Sequence, residues 1–249
     1  LGQLVFQTHD LGYRDQSGTW IEELTLEVSV GRGGLVLTAP GRRGRLLLRL
    51  LATLIEPTSG SIEWFGWRGP LDREHLYQLR RRIGFVHRGT RLVSNMSVEH
   101  NLTLNRIYHR NMPYDQAAGE VADLIDRMGL GAVKNLRPDN LEFSRRRLAV
   151  YAREMAKKPS LYLLEAPSQD LGANFKPVMA AVRQQCLEGR TAFIITDLAA
   201  EEAAQWVDWV LVMDMAGNHF YRIDRFDPHR HGQFAVDLDG TFSYLRTVP

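Results

Sequence analysis

The stretch Leu35–Gly60, LVLTAPGRRGRLLLRLLATLIEPTSG, has the frame of a phosphate-binding loop between a strand and a helix. Leu35-Val36-Leu37 reads as a buried strand and Pro40-Gly41-Arg42-Arg43-Gly44 as a turn. Arg45–Leu54 reads as an apolar helix that Glu56-Pro57-Thr58-Ser59-Gly60 ends. A working loop of this kind follows G-x-x-x-x-G-K-[ST]: backbone amides cradle phosphates, Lys neutralises them, and the hydroxyl holds Mg²⁺. Aligned without gaps on LLRLLA, Thr38, Arg43, Gly44 and Arg45 stand where Gly, Gly, Lys and Ser belong. With a one-residue gap, Arg45 and Leu46 replace Lys and Ser. Either way the ammonium and the hydroxyl are both missing. Arg42, Arg43 and Arg45 bring cations, but a planar guanidinium fork does not replace a compact ammonium in a narrow loop. They are read as solvated or paired with local carboxylates.

Other chemistry-bearing residues are sparse. Glu165 closes the run Leu161-Tyr162-Leu163-Leu164 and reads as an acid held in an ion pair, with metal ligation or acid catalysis as the sharper alternative. Asp197 follows Ala192-Phe193-Ile194-Ile195 and reads as a structural partner for arginine. His229 and His231, near Asp227 and Asp237, form an H-x-H too weak to assign a metal. The runs Arg80-Arg81-Arg82 and Arg145-Arg146-Arg147 read as exposed helix faces, and nucleic acid is not among the expected partners. Trp206 and Trp209 flank Asp208 at a helix-to-strand join, where core packing or a partner surface outranks ligand stacking.

The elements that position these residues follow from periodicity. Leu24, Leu26, Val28 and Val30 alternate with polar residues, as in a half-buried strand. Ile62–Trp67 reads as a further strand, Arg73–Arg82 as a short polar helix, and Ile83–Val86 as a short buried strand. Ser97–Tyr108, Tyr114–Met128 and Ser144–Lys157 read as helices. Val121, Leu124, Ile125 and Met128 share one face, as do Leu148, Tyr151, Ala152 and Met155. The apolar runs at 161–164 and 192–195 suit parallel strands buried on both faces, joined by a crossover helix at Phe175–Cys186. Val207–Met213 and Phe234–Leu238 are further strand candidates. Strands alternating with helices predict an α/β fold. The all-helical stretch predicts a subdomain at 88–157, inserted in a core of 1–87 and 158–249.

The chain of 249 residues is 44% hydrophobic, enough for one large core. Its net charge is +2, so no overall field draws it to nucleic acid. A single cysteine, Cys186, excludes an intramolecular disulfide and fits a reducing compartment. No run of about 18 apolar residues reads as a membrane span, and no signal peptide is read. The expectation is a cytoplasmic protein whose membrane link goes through a partner.

In order and spacing these segments resemble the nucleotide-binding subunit of an ATP-binding cassette (ABC) transporter, from about Val5 to about Tyr221. LLLRLLATLIEPTSGSIEWFG is similar to the helix and turn after that family's phosphate loop. LYQLRRRIGFVHRGTRLVSNMSVEHNLTL resembles its Q-loop region. NLEFSRRRLAVYAREMAKKPSLYLLEAPSQDLG resembles signature, Walker B and D-loop, and TAFIITDLAAEEAAQWVDWVLVM the switch strand. The resemblance implies a P-loop NTPase-like core with an inserted helical subdomain, a dimer with itself or another such subunit, and a membrane permease partner. The chain would sit at the inner face of the membrane.

Carried over residue by residue, the family's chemistry fails. Arg88 takes the place of the Q-loop glutamine, and Leu141-Glu142-Phe143-Ser144-Arg145 the place of Leu-Ser-Gly-Gly-Gln. Glu142 puts a carboxylate where phosphate is expected, or sits more simply at a helix N-terminus where a carboxylate is favourable. Phe143 adds bulk where backbone must approach closely. Glu165 replaces the Walker B Asp, Ala166 the catalytic Glu, Gly172 the D-loop Asp and Asp197 the switch His. Ala166 cannot take a proton. Tyr13 is the candidate to stack on adenine. The expectation is a pseudo-ATPase: Tyr13, Gly41, Arg42, Arg43, Gly44, Arg45, Arg88 and Glu165 form a vestigial ATP site, with no cofactor and no metal. The alternatives are a divergent ATPase that binds ATP and Mg²⁺ through Arg45 and Glu165, and a soluble interaction module. Charge accounting predicts that Arg45, or else Arg43, pairs with Glu165 where Mg²⁺ would sit, and that Asp197 pairs with Arg42, Arg43 or Arg88. By resemblance, Arg91, Leu92, Met96, Val98 and Leu102 line the groove for the permease.

Overall fold

Continuous apolar runs set the architecture. The computed structural model describes residues 3–38, 42–198, 200–214, 217–227, 233–236 and 242–245. The chain opens with β1 (Leu4–Asp15), β2 (Gly18–Ser29) and β3 (Gly33–Thr38), followed by α1 (Arg42–Leu51), β4 (Ser59–Trp64), β5 (Trp67–Arg68), α2 (Arg73–Arg81) and β6 (Ile83–Val86). Three helices come next with no strand between them: α3 (Val98–Arg110), α4 (Tyr114–Arg127) and α5 (Phe143–Ala156). The chain then runs through β7 (Leu161–Glu165), α6 (Pro167–Leu171), α7 (Phe175–Leu187), β8 (Ala192–Thr196), α8 (Ala200–Ala203), β9 (Trp209–Asp214) and β10 (Gly217–Arg222). A separate antiparallel pair, β11 (Gln233–Val236) and β12 (Phe242–Leu245), follows.

One sheet has the order β10-β9-β3-β8-β7-β6, and its strands from β9 to β6 are parallel. Their side chains alternate between two apolar cores, which is why these strands read as unbroken hydrophobic runs. Leu35, Leu37, Tyr162, Leu164, Phe193 and Ile195 point to the core shared with α5 and α7. Val36, Leu161, Leu163, Ala192 and Ile194 point to the other. That second core is closed by α1 and by an antiparallel sheet of order β2-β1-β4-β5. Leu46, Leu47, Leu48, Leu50 and Leu51 of α1 are all buried, since the helix lies between two sheets.

The α/β class and the helical insertion match the sequence expectation, and several details differ. The helix expected from Arg45 starts at Arg42. The strand expected over Ile62–Trp67 is a tight hairpin, because Phe65 and Gly66 take positive φ of 50° and 87°. Strand β1, not read from the sequence, pairs with β2 through several register shifts that break its alternation. Arg147 is not on an exposed face but 4% exposed. Leu92, Val98 and Leu102 are core residues and do not line a groove. Gly41, His229, His231 and Asp237 lie outside the described residues, as do the last two positions of the Phe234–Leu238 strand.

The start of β3 depends on missing side chains. A Cβ on Gly34 would lie 2.0 Å from Cζ2 of the buried Trp209 ring, and one on Gly33 2.1 Å from Cζ of Phe193. Gly34→Ala is expected to lower stability by about 1–3 kcal/mol through overpacking, read as a lower urea midpoint with unchanged slope.

Candidate functional site

The parallel strands deliver their C-terminal ends to one edge, where open α/β sheets place ligands. Thr38 ends β3, Glu165 ends β7, Thr196 ends β8 and Asp214 ends β9. Glu165 sits in register with Thr196 on the neighbouring strand. Helix α1 starts at the same edge, with Arg42, Arg43 and Arg45 in its first turn and no acidic residue there. Gly44 lets that turn come close: a Cβ there would lie 3.2 Å from Thr196 Cγ2, and its amide donates to Thr38 Oγ1 at 3.4 Å.

Each loop arginine reaches a different strand end. Arg45 Nε donates to Glu165 Oε1 at 2.8 Å. The Glu165 side chain is 4% exposed and the Arg45 side chain 50%. This is the pair the charge accounting predicts. Arg43 donates instead to the Asp214 carbonyl, so it is not the partner of Glu165. Arg42 reaches the β1–β2 hairpin. Its Nη2 lies 2.7 Å from Asp15 Oδ2 and its Nη1 donates to Ser17 Oγ at 3.1 Å. Its guanidinium covers the Trp20 ring at 4.5 Å from the centroid, a cation–π contact. Hydrogen bonds from Ser17 and Trp20, with the Arg42 charge adding to them, hold the Asp15 carboxyl down to about 2.

The pairing expected for Asp197 is absent among the described residues. Arg42 and Arg43 are engaged as above, and Arg88 donates to Gln169. Asp197 accepts from Thr196 Oγ1 at 3.0 Å and sits in the left-handed region at φ 56°. Burial, with Glu165 adding to it, pushes the Asp197 carboxyl above its usual range, while Arg45 and Arg88 pull it back. Burial also lowers His87, which faces both Glu165 and Arg147.

The remaining sequence candidates fall at separate places. Ala166 is buried and caps α6 in the left-handed conformation, so the position after Glu165 carries only a methyl group. Phe143 is the first residue of α5 and 67% exposed, with Glu142 before it as the N-cap residue. Tyr13 lines a cleft with Glu22, Glu23 and Asn218, while Trp20 is the aromatic that meets a loop arginine. Sequence reasoning missed Asp15, Ser17 and Trp20. Their signal was a D-x-S-G turn between strands, with the indole just past it.

An open cleft of about 440 Å³ lies on the helical side, lined by Asn95, Met96, Ser97, His100, Tyr114, Asn135 and Arg137. Of the groove residues expected from the sequence, only Met96 lines it. Buried Asn101 shapes its rim: Oδ1 accepts from Val93 N at 2.7 Å, and Nδ2 donates to the Val93, Met96 and Ser97 carbonyls. Val93 and Leu136, close in the chain to residues that line the cleft, are exposed.

Residues 45–169, half of the chain, match the family model described as ABC transporter. The chain is 29% identical over 198 residues to the phosphonates import ATP-binding protein PhnC 3 of Nostoc sp. (strain PCC 7120), covering 77% of this chain and 76% of that one. It shares its fold with cbiO1 of Clostridium perfringens, part of an ABC transporter complex, at a TM-score of 0.77, 18% identity and coverage of 89% and 90%. A dimeric bacterial ABC transporter cassette matches at a TM-score of 0.79 and 18% identity, over 89% of this chain and all of that one.

Two outcomes follow from the buried carboxylates. Arg45→Ala leaves a buried carboxylate without its guanidinium, while the half-exposed arginine shows that water can replace part of it. The expected loss is about 1–3 kcal/mol in chemical denaturation at neutral pH. Asp197→Asn is expected to raise the melting temperature at pH 7. A carboxyl raised from 3.8 binds more protons folded than unfolded, so its penalty grows as pH rises through its folded pKa. The gap between the two proteins should narrow as pH falls and close near 3.8. Asparagine keeps the left-handed backbone and the acceptor for Thr196.

Proposed function

The chain belongs to the ABC transporter family, and we propose that it serves there as a pseudo-ATPase, an ATP-binding-type subunit whose nucleotide site is filled by its own ion pairs. The observation that carries this reading is the Arg45–Glu165 pair. In the family frame Glu165 stands at the metal-side carboxylate and Arg45 at the metal-side hydroxyl. Here each satisfies the other, and a guanidinium occupies the space between them. The residues present do not fit Mg²⁺·ATP. Arg45 has no oxygen to offer a metal, Ala166 offers no base, and Asp197 puts a carboxyl where a γ-phosphate donor belongs. Phosphate would meet added negative charge at Glu142 and bulk at Phe143. In a dimer of two such chains both composite sites carry these defects.

What remains is the capacity to dock. The relative from Nostoc is named as an import ATP-binding protein, and from it we take the subunit type but not the cargo. Among the described residues no helix is long and apolar enough to cross a membrane. A permease segment is the occupant that suits the cleft that Met96 lines, with Val93 and Leu136 exposed close by in the chain. The chain would then be a structural or regulatory partner at the inner face of the membrane. The divergent-ATPase reading needs Glu165 for a metal and Arg45 for phosphate, and the pair turns Glu165 Oε1 and Arg45 Nε to each other.

A calorimetric titration of the purified chain with ATP·Mg²⁺ tests this. A ligand present at about 100 times its Kd stabilises the folded state by about 2.7 kcal/mol. No such shift in melting is expected at millimolar ATP, and Ala166→Glu alone is expected to give no ATPase activity. A Mg²⁺-dependent rise in melting, or rescue by that single substitution, would overturn the reading.

A further inference from the structure

The loop leaving β6 is held in an unusual way. Arg147 of α5 is 4% exposed and points into it. Its Nη1 donates to the Thr90 carbonyl at 2.9 Å and its Nη2 to the His87 carbonyl at 3.2 Å. The same guanidinium pairs with Asp170 of α6, whose side chain is 11% exposed. Tyr151 Oη adds a donor to that carboxylate at 3.4 Å. Arg153, six residues on from Arg147 in the same helix, donates to the Arg91 carbonyl at 2.7 Å. Arg91 itself turns back onto the Arg88 carbonyl at 2.8 Å. The carbonyls of residues 87, 88, 90 and 91 are therefore all held by guanidinium groups.

The physics of Arg147 explains why such a group acts as a clamp. A buried guanidinium is tolerated only when its desolvation is offset by a counter-charge and by acceptors for its donors. Asp170 supplies the charge and the loop carbonyls accept from Nη1 and Nη2, while Nε is buried without a partner among the described residues. Moving the loop would strip acceptors from a buried cation, so the loop, α5 and α6 share one arrangement. The loop runs directly into the cleft rim that Asn101 shapes from Val93 to Ser97. From these contacts we propose that Arg147 and Asp170 form a built-in lock that fixes loop 87–91 and holds the adjoining cleft in one shape without any ligand. Arg147 is a positioning residue in this role. The consequence for docking rests on the proposed function, whereas the lock itself is a property of the isolated chain.

Amide hydrogen exchange on the full chain tests it. Thr90 N bonds to the His87 carbonyl at 2.9 Å and Val93 N to Asn101, so both amides report on the loop. In the unmodified chain they should exchange at least about tenfold more slowly than an unstructured peptide. Asp170→Asn and Arg147→Lys should each speed them by about tenfold or more. Lysine keeps the charge but cannot reach two carbonyls and a carboxylate with a planar fork. Amides of β7 and β8 should stay as slow as before, which separates the lock from global destabilisation. Free exchange of Thr90 and Val93 in the unmodified chain would overturn the proposal, and that measurement stands even if a variant does not fold. So would protection that neither folded variant reduces. Adding ATP·Mg²⁺ forms a separate arm. A change in exchange on its addition counts against the ligand-free reading of the nucleotide site, while the lock is judged from the ATP-free samples.

Discussion

A carboxylate at the end of a buried strand needs a counter-charge, and that constraint organises the functional edge of this protein. Glu165 is 4% exposed and lies at the last position of β7, with the parallel strands β6 and β8 on either side. Left alone it would be an uncompensated charge in a poorly hydrated place, a costly arrangement. Arg45 answers it from the first turn of α1. The pair is not a source of large net stability, because the Arg45 side chain is half exposed and desolvation offsets much of the attraction. Its effect is to commit the two groups to each other. Glu165 Oε1 then has to give up Arg45 Nε before it can meet a metal ion.

The same logic accounts for the other loop arginines. Backbone amides give a helix start a partial positive charge that favours anions. Helix α1 places Arg42, Arg43 and Arg45 there, with no acid in its first turn. A bound phosphate would relieve that excess. In this chain relief comes from acceptors on three neighbouring elements: Asp15 on β1, the Asp214 carbonyl on β9 and Glu165 on β7. Arginine suits this work better than lysine, since its fork can reach outward along different directions while the stem packs against the turn. Trp20 under Arg42 adds an apolar face to the same clip.

Much of this was legible in the sequence because two periodicities are strong. The strands at 161–164 and 192–195 are buried on both faces, so their apolar runs are unbroken. The stripe Leu148, Tyr151, Ala152 and Met155 marks the buried face of α5. The Arg45–Glu165 pair followed from charge accounting within the family resemblance, where Arg45 takes the place of a hydroxyl and Glu165 stands at the metal-side carboxylate. Other features were hidden for identifiable reasons. Strand β1 carries register shifts that blur its alternation. Arg147 sat in an arginine run and read as solvated, although Tyr151 four residues on placed it at the edge of the buried stripe. Asp197 was expected to find an arginine, but each nearby guanidinium has a partner of its own, and the carboxyl turns to Thr196. Leu92, Val98 and Leu102 read as groove residues because apolar side chains near a resembled docking site look alike whether they face a partner or the core.

The edge of the parallel sheet therefore has the geometry of a ligand crevice and the chemistry of an interface within one molecule. Open α/β sheets bind ligands outside the carboxyl ends of their strands because loops and helix starts converge there with unsatisfied polar groups. In this chain those ends are met from within. Arg45 answers β7, Arg43 answers β9, Arg42 answers the β1–β2 hairpin, and Arg147 holds the loop that leaves β6. A nucleotide would normally draw these elements together by bridging them with one anion. Arginine side chains bridge them here, with carboxylates and carbonyls as the opposite poles. Under the proposed function, an assembly face built this way would need no ligand to set its shape, which would suit a subunit that contributes by holding one conformation.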